Sequence, residues 1–581
     1  MNANKILVWP NAQPGEYDIV ADFGNNISDA SLFVPDDAYD TPLDIIDGYF
    51  VAGFRVVNDP GIMQDFAHAG NWNYIETDVA AMPGLQGTVT VEDSTNQYHS
   101  SGTPNLVTRN LRLKANVFFP TDTPGLTDPA FISPSQPNYP LIVIIHGNGH
   151  NYTSYDFLLE HFAKNGFIAA SIDVRYFNGA SDVHGMGGQG RAEALFPHLN
   201  VINTKFGSSV QNNIGIMGHS RGGDAVVKAA RINQQQALGH NINAVIALAP
   251  TDQYGTEVLG GTWSKPFFVL YGSRDGDIDG DIWVSGYTVP QTGFAHFDRA
   301  DGSKKSMCFV FRATHNGFIT TNYEADAGDI PDLLLPATQQ AFSKAYMNAF
   351  YRWHLKNESQ WEGMFAGEWT PGSVSATGAK FYIQYQDPTA KIVDEFEGAI
   401  NWQASTIGGT VDHGGTLPVD PSEGKMSAAI ISGLDPKSPH DTQGLKVRWN
   451  HAGDKLVFSI PPNHKNVSGY SVLSFRVTQK TDSTDNLANQ PQNFRLALKD
   501  GSNNERAVRV SAFSEIPFPD HRSNHALSKS AMNTVRIPLK SYRIVCAGMS
   551  QVNLDDITTL TFLFSEKVTG EIEIDNIEFS N

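Results

Sequence analysis

Residues 218–222 read "GHSRG", a serine between two glycines, with the apolar run "NIGIM" before it and "GDAVVKAARINQQQALG" after it. A serine hydroxyl is a weak nucleophile until a base takes its proton, so this residue type in this setting points to covalent catalysis served by a histidine and an orienting carboxylate. The preceding run reads as a strand and the following one as a helix, which puts Ser220 on a sharp strand-to-helix turn. Flanking glycines suit such a turn because strand and helix backbones crowd it. The helix N-terminus would also aim backbone N–H groups at an oxyanion formed on Ser220.

The partners are expected further along the chain, acid before histidine, each just past the C-terminal end of a strand. "FFVLYGSRDGDIDGD" offers Asp275 and, as the alternative acid, Asp277; "MCFVFRATHNGF" offers His315. The stretch "DGDIDGD" also has the alternating carboxylates of a calcium loop, but Gly286 stands where the bidentate glutamate of such a loop belongs. For the oxyanion, the backbone amides of Arg221 and of Asn148, in "LIVIIHGNGHN", are the candidate donors, with Gly147 permitting close approach. His146, His150 and His219 have no carboxylate or thiol at ligand spacing and read as packing or pocket-wall residues. Tyr254, Trp263, Trp283 and Phe297 are candidate substrate-wall aromatics.

The elements that must hold these groups alternate between 140 and about 357. Short, nearly continuous apolar strands, "PLIVIIH", "FIAASID", "NIGIMG", "NAVIALAP", "PFFVLYG" and "MCFVFRA", are separated by helices. That pattern predicts a doubly wound, mostly parallel α/β sheet covered on both faces. A last helix over about 337–356 carries Phe342, Tyr346, Phe350 and Trp353 on one stripe. Earlier runs such as "GYFVAGFRVV", "GTVTVEDS" and "TRNLRLKANVFFP" alternate and are expected to extend the same sheet with antiparallel strands. After about Asp387 the texture changes to short alternating segments divided by Asn, Asp, Gly and Pro, which predicts an all-β sandwich. The division is therefore 1–387 and 388–581.

These motifs resemble the α/β-hydrolase superfamily, and within it the group of chlorophyllases, platelet-activating-factor acetylhydrolases, dienelactone hydrolases and cutinase-like polyester hydrolases. The resemblance covers about residues 105–356 and rests on "IIHGNGHN", "IMGHSRGGDA", "LYGSRDGDI" and "ATHNGF". It implies nucleophile Ser220, acid Asp275 and base His315, a serine esterase needing no cofactor, with an amidase or peptidase as the alternative on the same triad. Where polyester hydrolases often continue with Ala-Pro-Trp, this chain has "APTDQ". Only residues 251–265 separate "NAVIALAP" from "PFFVLYG", too few for a lid, so an open cleft for bulky or polymer-borne esters is expected. A non-catalytic binding protein on the same fold is the rival from another class.

The C-terminal opening "IVDEFEGAINW" and closing "GEIEIDNIEFSN" resemble jelly-roll carbohydrate-binding modules, in which the first and last strands lie side by side and often hold a structural calcium. Glu395, Glu397 and Asp575 would be its oxygen donors. Such a module would tether the esterase to a polysaccharide or polymer surface, fold alone and touch the triad little.

Composition sets the outer bounds. With 61 acidic residues against 41 Lys and Arg in 581, the formal charge of −20 disfavours general binding to nucleic acid or anionic membranes. No apolar run approaches the ~20 residues of a membrane span. The start "MNANKILVWP" lacks a leader's pattern, so the protein is either cytoplasmic or, as the esterase reading favours, a secreted or periplasmic protein in mature form. Cys308 and Cys546 are expected as buried free thiols, with a disulfide as the lesser alternative.

Overall fold

The structure is a computed structural model. It describes residues 15–17, 20–21, 45–46, 54–56, 59–76, 88–92, 106–110, 113–177, 186–252, 264–278, 293–300, 302–320, 332–399, 401–413, 427–432, 440, 442–481, 483–520, 530–543 and 551–581.

A nine-stranded sheet is built from β1 (His68–Glu76), β2 (Leu113–Thr121), β3 (Tyr139–Ile145), β4 (Ile168–Ile172), β5 (Val210–His219), β6 (Ile242–Leu248), β7 (Phe267–Gly272), β8 (Lys305–Val310) and β9 (Phe381–Gln386). Its order is β9-β8-β7-β6-β5-β3-β4-β2-β1. Strands β3 to β8 run parallel, while β1 and β2 at one end and β9 at the other are antiparallel. In β3 all seven residues are buried. Side-chain alternation sends Leu141, Val143 and Ile145 to one apolar core and Ile142 and Ile144 to another, so both faces need helical cover.

Helices α2 (Met186–Phe206), α3 (Arg221–Gln235) and α4 (Gly293–Arg299) cover the first face; α1 (Asp156–Lys164), α5 (Pro336–Phe342) and α6 (Asn348–Lys356) cover the second. The expected last helix is present, interrupted by a π turn at Ser343–Met347. Helix α2 escapes sequence reading because "MGGQG" and Pro197 disguise it. The antiparallel extension is smaller than expected: Thr88–Glu92 pairs with Leu106–Asn110, and Phe54–Val56 with Gly15–Tyr17, as separate two-stranded pieces.

Beyond residues 387–390 the chain enters two antiparallel sheets around a single core containing Trp449, Phe475 and Phe562. This arrangement is consistent with the expected sandwich. Its first strand, β10 (Lys391–Asp394), does lie beside its last, Gly570–Ser580. Cys308 is a buried free thiol, and Cys546 lies outside the described residues.

The two units meet through buried contacts. Strand β9 closes the nine-stranded sheet with an edge whose backbone groups need partners. Asn533 and Thr534 of the second unit supply them: Asn533 Oδ1 accepts the Ile383 N–H (3.0 Å), and Thr534 Oγ1 accepts the Tyr385 N–H (2.9 Å) and donates to the Tyr385 carbonyl (3.2 Å). Deeper in the junction, Asp298 of α4 accepts from His440 Nδ1 (2.8 Å) and from Arg476 Nη1 (3.0 Å), and Arg476 also pairs with Asp575. Burial alone would raise the Asp298 carboxyl, but His440, Arg476 and Lys305 more than offset it and hold it well below the usual range.

Arg476→Met would leave Asp298 and Asp575 buried without their shared guanidinium. Stability should fall by about 3–5 kcal/mol, read from urea unfolding of the full chain. A loss below about 1 kcal/mol would show that the junction does not depend on this charge.

Candidate active site

Ser220 links β5 to α3 with φ 57° and ψ −124°, a conformation non-glycine residues rarely adopt. Its backbone is pinned from three sides: Ser220 N–H donates to the Leu248 carbonyl (2.9 Å), and the Ser220 carbonyl accepts from Gly223 (2.8 Å) and Thr251 (3.2 Å). The flanking glycines are forced by space. A Cβ on Gly218 would lie 1.8 Å from the Gly222 carbonyl oxygen, and one on Gly222 would lie 2.1 Å from that of Ile145. Ser220 occupies the cap position of α3, yet its side chain makes no capping bond, so the hydroxyl is not committed to the helix. Arg221 is the first helical residue, where a backbone N–H has no intrahelical acceptor.

The loop after β3 runs against this turn. A Cβ on Gly147 would meet Ser220 Cβ at 2.8 Å, so only glycine lets the two backbones come this close. Asn148 follows it, half-buried, ahead of Gly149 at φ 72°. Strands β3 and β5 are neighbours, and the chain leaves β3 toward β4 on one side and β5 on the other. Ser220 thus sits at the topological switch point of the sheet, where open α/β folds place their ligands.

The carboxylate and imidazole come from β7 and β8. His315 Nδ1 donates to Asp275 Oδ2 at 2.8 Å, and both residues are buried. Asp275 Oδ1 accepts the backbone N–H groups of Asp277 (3.2 Å) and Ile278 (2.7 Å), so both oxygens are engaged. Asp277 occupies the other side of the ring, with Oδ2 3.4 Å from Nε2 and its side chain 66% exposed. Of the two acids weighed from sequence, Asp275 is the one at Nδ1 and Asp277 the one near Nε2. The two loops press together, since a Cβ on Gly272 would lie 2.3 Å from the Ala313 carbonyl oxygen. Gln339 of α5 pins the histidine loop by accepting the Thr314 N–H at 3.1 Å.

Three more histidines cluster behind. His219 Nε2 donates to the His315 carbonyl (3.1 Å), and its Nδ1 lies 3.0 Å from the Tyr155 hydroxyl. His150 lies 3.3 Å from the same hydroxyl through Nδ1 and 2.9 Å from Asn316 Oδ1 through Nε2. Val174 N–H donates to His146 Nε2 (3.0 Å), leaving Nδ1 to donate to the Gly147 carbonyl (2.8 Å). Burial pushes His150 down to about 3, with the neighbouring His315 adding to the effect, and drives His219 well below its ordinary value. All three are buried and held by these hydrogen bonds.

The remaining expectations fare unevenly. Tyr254, Trp263 and Trp283 lie outside the described residues. Phe297 is no cleft wall: it is fully buried, with Lys305 and Arg476 against its ring. Of the proposed calcium ligands, Asp575 is taken by Arg476, by Thr442 (3.0 Å) and by the Asn576 N–H (2.7 Å), and Glu397 by the Gln443 N–H (2.7 Å). Glu395 does not gather with them into a metal-sized group. Among the described residues Asp224, Asp252 and His296 do form such a group. There, however, Lys228 pairs with Asp224 (3.3 Å) and Arg299 with Asp252, and His296 Nε2 donates to the Thr251 carbonyl (2.8 Å), so its charges already balance.

Sequence reading missed Tyr155, Asn316 and Asp520. Asn316 is signalled only by adjacency to His315. Asp520 bonds to Ser273 and Arg274, the residues just before Asp275, from the far unit with no motif around it.

A histidine whose folded value lies near 3 against 6.5 unfolded binds a proton more readily when unfolded, so its contribution is complete above about pH 6.5 and lost as pH falls toward 3. His150→Phe keeps a ring against His219 and removes that titration. Between pH 6.5 and 4 the variant should lose less stability than the parent in urea unfolding. Equal slopes would show that His150 is not held neutral.

In comparison with known families, residues 113–263 match the Chlorophyllase family. No curated protein matches the chain. The matched stretch holds β2 to β6, the Gly147 loop and Ser220, and ends before Asp275 and His315. The nine-stranded mixed sheet and its helices fit an α/β-hydrolase fold, and the match supports that likeness and suggests an ester hydrolase.

Proposed function

We propose that the protein is a serine carboxylic-ester hydrolase acting through an acyl-enzyme, with Ser220 as nucleophile, His315 as base and Asp275 as its orienting acid. The observation that carries the reading is the buried 2.8 Å pair of His315 Nδ1 and Asp275 Oδ2 on the same sheet that presents Ser220 in its constrained turn. Ser220 Oγ attacks the acyl carbon while its proton passes to His315 Nε2. The Nδ1 proton stays on the imidazole, held by Asp275. The backbone amides of Arg221 and Asn148 stabilise the oxyanion. Collapse expels the alcohol, which takes the proton from Nε2. Water then repeats the sequence on the acyl-enzyme and releases the acid. This chemistry calls for no cofactor.

The short link of residues 251–265 favours an open cleft, and hence bulky or polymer-borne esters over small enclosed ones. Secretion and contact of the second unit with a polysaccharide or polymer surface fit the same reading. No calcium role is assigned to Glu395, Glu397 and Asp575, because two of the three carboxylates are already engaged.

A fluorophosphonate should label the parent and not Ser220→Ala. Ester turnover in Ser220→Ala or His315→Ala should fall by about three orders of magnitude or more with the fold kept. Turnover near that of the parent in either variant would remove the assignment. Asp275→Asn should damage turnover far more than Asp277→Asn, because only Asp275 reaches Nδ1. The reverse ranking would move the orienting role to Asp277.

A further inference from the structure

Asp520 lies in the second unit, between the strand Glu505–Arg509 and the strand Asn533–Pro538. Its carboxylate is buried and crosses to the acid loop of the catalytic sheet. Oδ2 accepts from Arg274 Nε at 2.7 Å and from the Ser273 hydroxyl, and Oδ1 accepts from Arg274 Nη2 at 2.9 Å. Ser273 and Arg274 are themselves buried and stand immediately before Asp275. The same Ser273 oxygen accepts the Arg312 N–H at 2.7 Å, and Arg274 N–H donates to the Ala313 carbonyl at 2.9 Å. The carboxylate therefore holds the two residues of the acid loop that themselves bond to the histidine loop. Beside it, Phe518 packs edge-on against Phe311 with ring centroids 5.7 Å apart.

We propose that Asp520 is a positioning residue for the reaction assigned above, clamping Ser273 and Arg274 so that the Asp275 carboxylate stays on His315 Nδ1. This rests on the esterase reading and changes the role of the second unit. A bidentate, buried guanidinium–carboxylate pair has a fixed geometry, unlike a flexible surface pair. Without the carboxylate charge, Arg274 loses its bidentate ion pair and Ser273 its charged acceptor, so the loop that carries both loses ties that hold it in place. Asp275 would move with it. A displacement of about 1 Å in an orienting group costs up to about a hundredfold in rate. The second unit is thus a working part of the catalytic centre for every ester, small or polymeric, and not only a tether.

The test uses the full chain. Asp520→Asn keeps shape and loses charge; kcat should fall about ten- to hundredfold while KM stays within about twofold. The far-downfield proton resonance of His315 Nδ1–H, identified by its loss in Asp275→Asn, should shift or broaden. A merely structural role would leave that resonance in place in the folded variant. Ser273→Ala keeps the Arg274–Asp520 pair and removes the two bonds of the Ser273 hydroxyl, to Asp520 and from the Arg312 N–H, so it should move both readouts in the same direction by less, and it decides the matter if Asp520→Asn does not fold. A folded variant with kcat and resonance as in the parent overturns the proposal. Absence of fluorophosphonate labelling in the parent would instead overturn the esterase reading, and the resonance would still report on Asp520.

Discussion

Everything near the candidate site depends on how closely three stretches of backbone approach one another at the C-terminal end of β5. Ser220 is held at a positive φ, which costs about 1–3 kcal/mol unless its surroundings leave no alternative. They leave none: β6 accepts its N–H, the residues after β6 and the first turn of α3 hold its carbonyl, and Gly147 passes against its Cβ. The clashes that Cβ atoms would make at Gly218 and Gly222 are with backbone oxygens, which cannot swing aside as a side chain could. The glycines are therefore a consequence of packing density, and the turn that holds the buried Ser220 hydroxyl off the helix cap is a consequence of the glycines.

The acid and base are held by a different principle. Where the serine turn is fixed within one sheet, the loops after β7 and β8 are fixed partly by charge brought from elsewhere in the chain. Arg274 with Asp520, and Asp298 with His440 and Arg476, are buried pairs that cross the junction between the two units. Removing charges such as those of Arg274, Asp298 and Arg476 from water is costly, and the groups brought across the junction offset part of that cost. A junction built this way resists partial opening, because any separation strands several charges at once. The edge of β9, satisfied by Asn533 and Thr534, adds hydrogen-bonding groups with the same property.

What could be read from sequence follows from this contrast. The parallel strands were legible because burial on both faces demands unbroken apolar runs, as in "LIVII". Ser220, Asp275 and His315 were legible because local backbone geometry constrains the residues beside them or places them at strand ends. Helix α2 was not, since Gly187, Gly188, Gly190 and Pro197 oppose its local propensity and packing against the sheet overrides them. Strand β9 was hidden by its polar alternation, "FYIQYQ", which made it look like part of the passage between units. Asp520 was invisible for a deeper reason: one carboxylate among 61 acidic residues, acting at a separation of 246 positions, leaves no periodicity and no spacing to detect. Phe297 misled for the ordinary reason that an aromatic near a site is more often core than wall.

The neutral histidines complete the electrostatic logic of the centre. In the proposed reaction His315 becomes an imidazolium, and the rings of His219 and His150 lie 4.8 and 6.2 Å from it, centroid to centroid. A unit positive charge on either would oppose that imidazolium by about 3 kcal/mol at an effective dielectric near 20, enough to slow proton transfer on the order of a hundredfold. Burial removes the conflict by holding both rings uncharged, and their hydrogen bonds then serve geometry alone. His219 fixes the His315 carbonyl, Tyr155 fixes His219, and Asn316 bonds His150. The buried Asp275 carboxylate, hydrogen-bonded to the imidazole, then acts on it without a competing positive charge in the rings of His219 and His150.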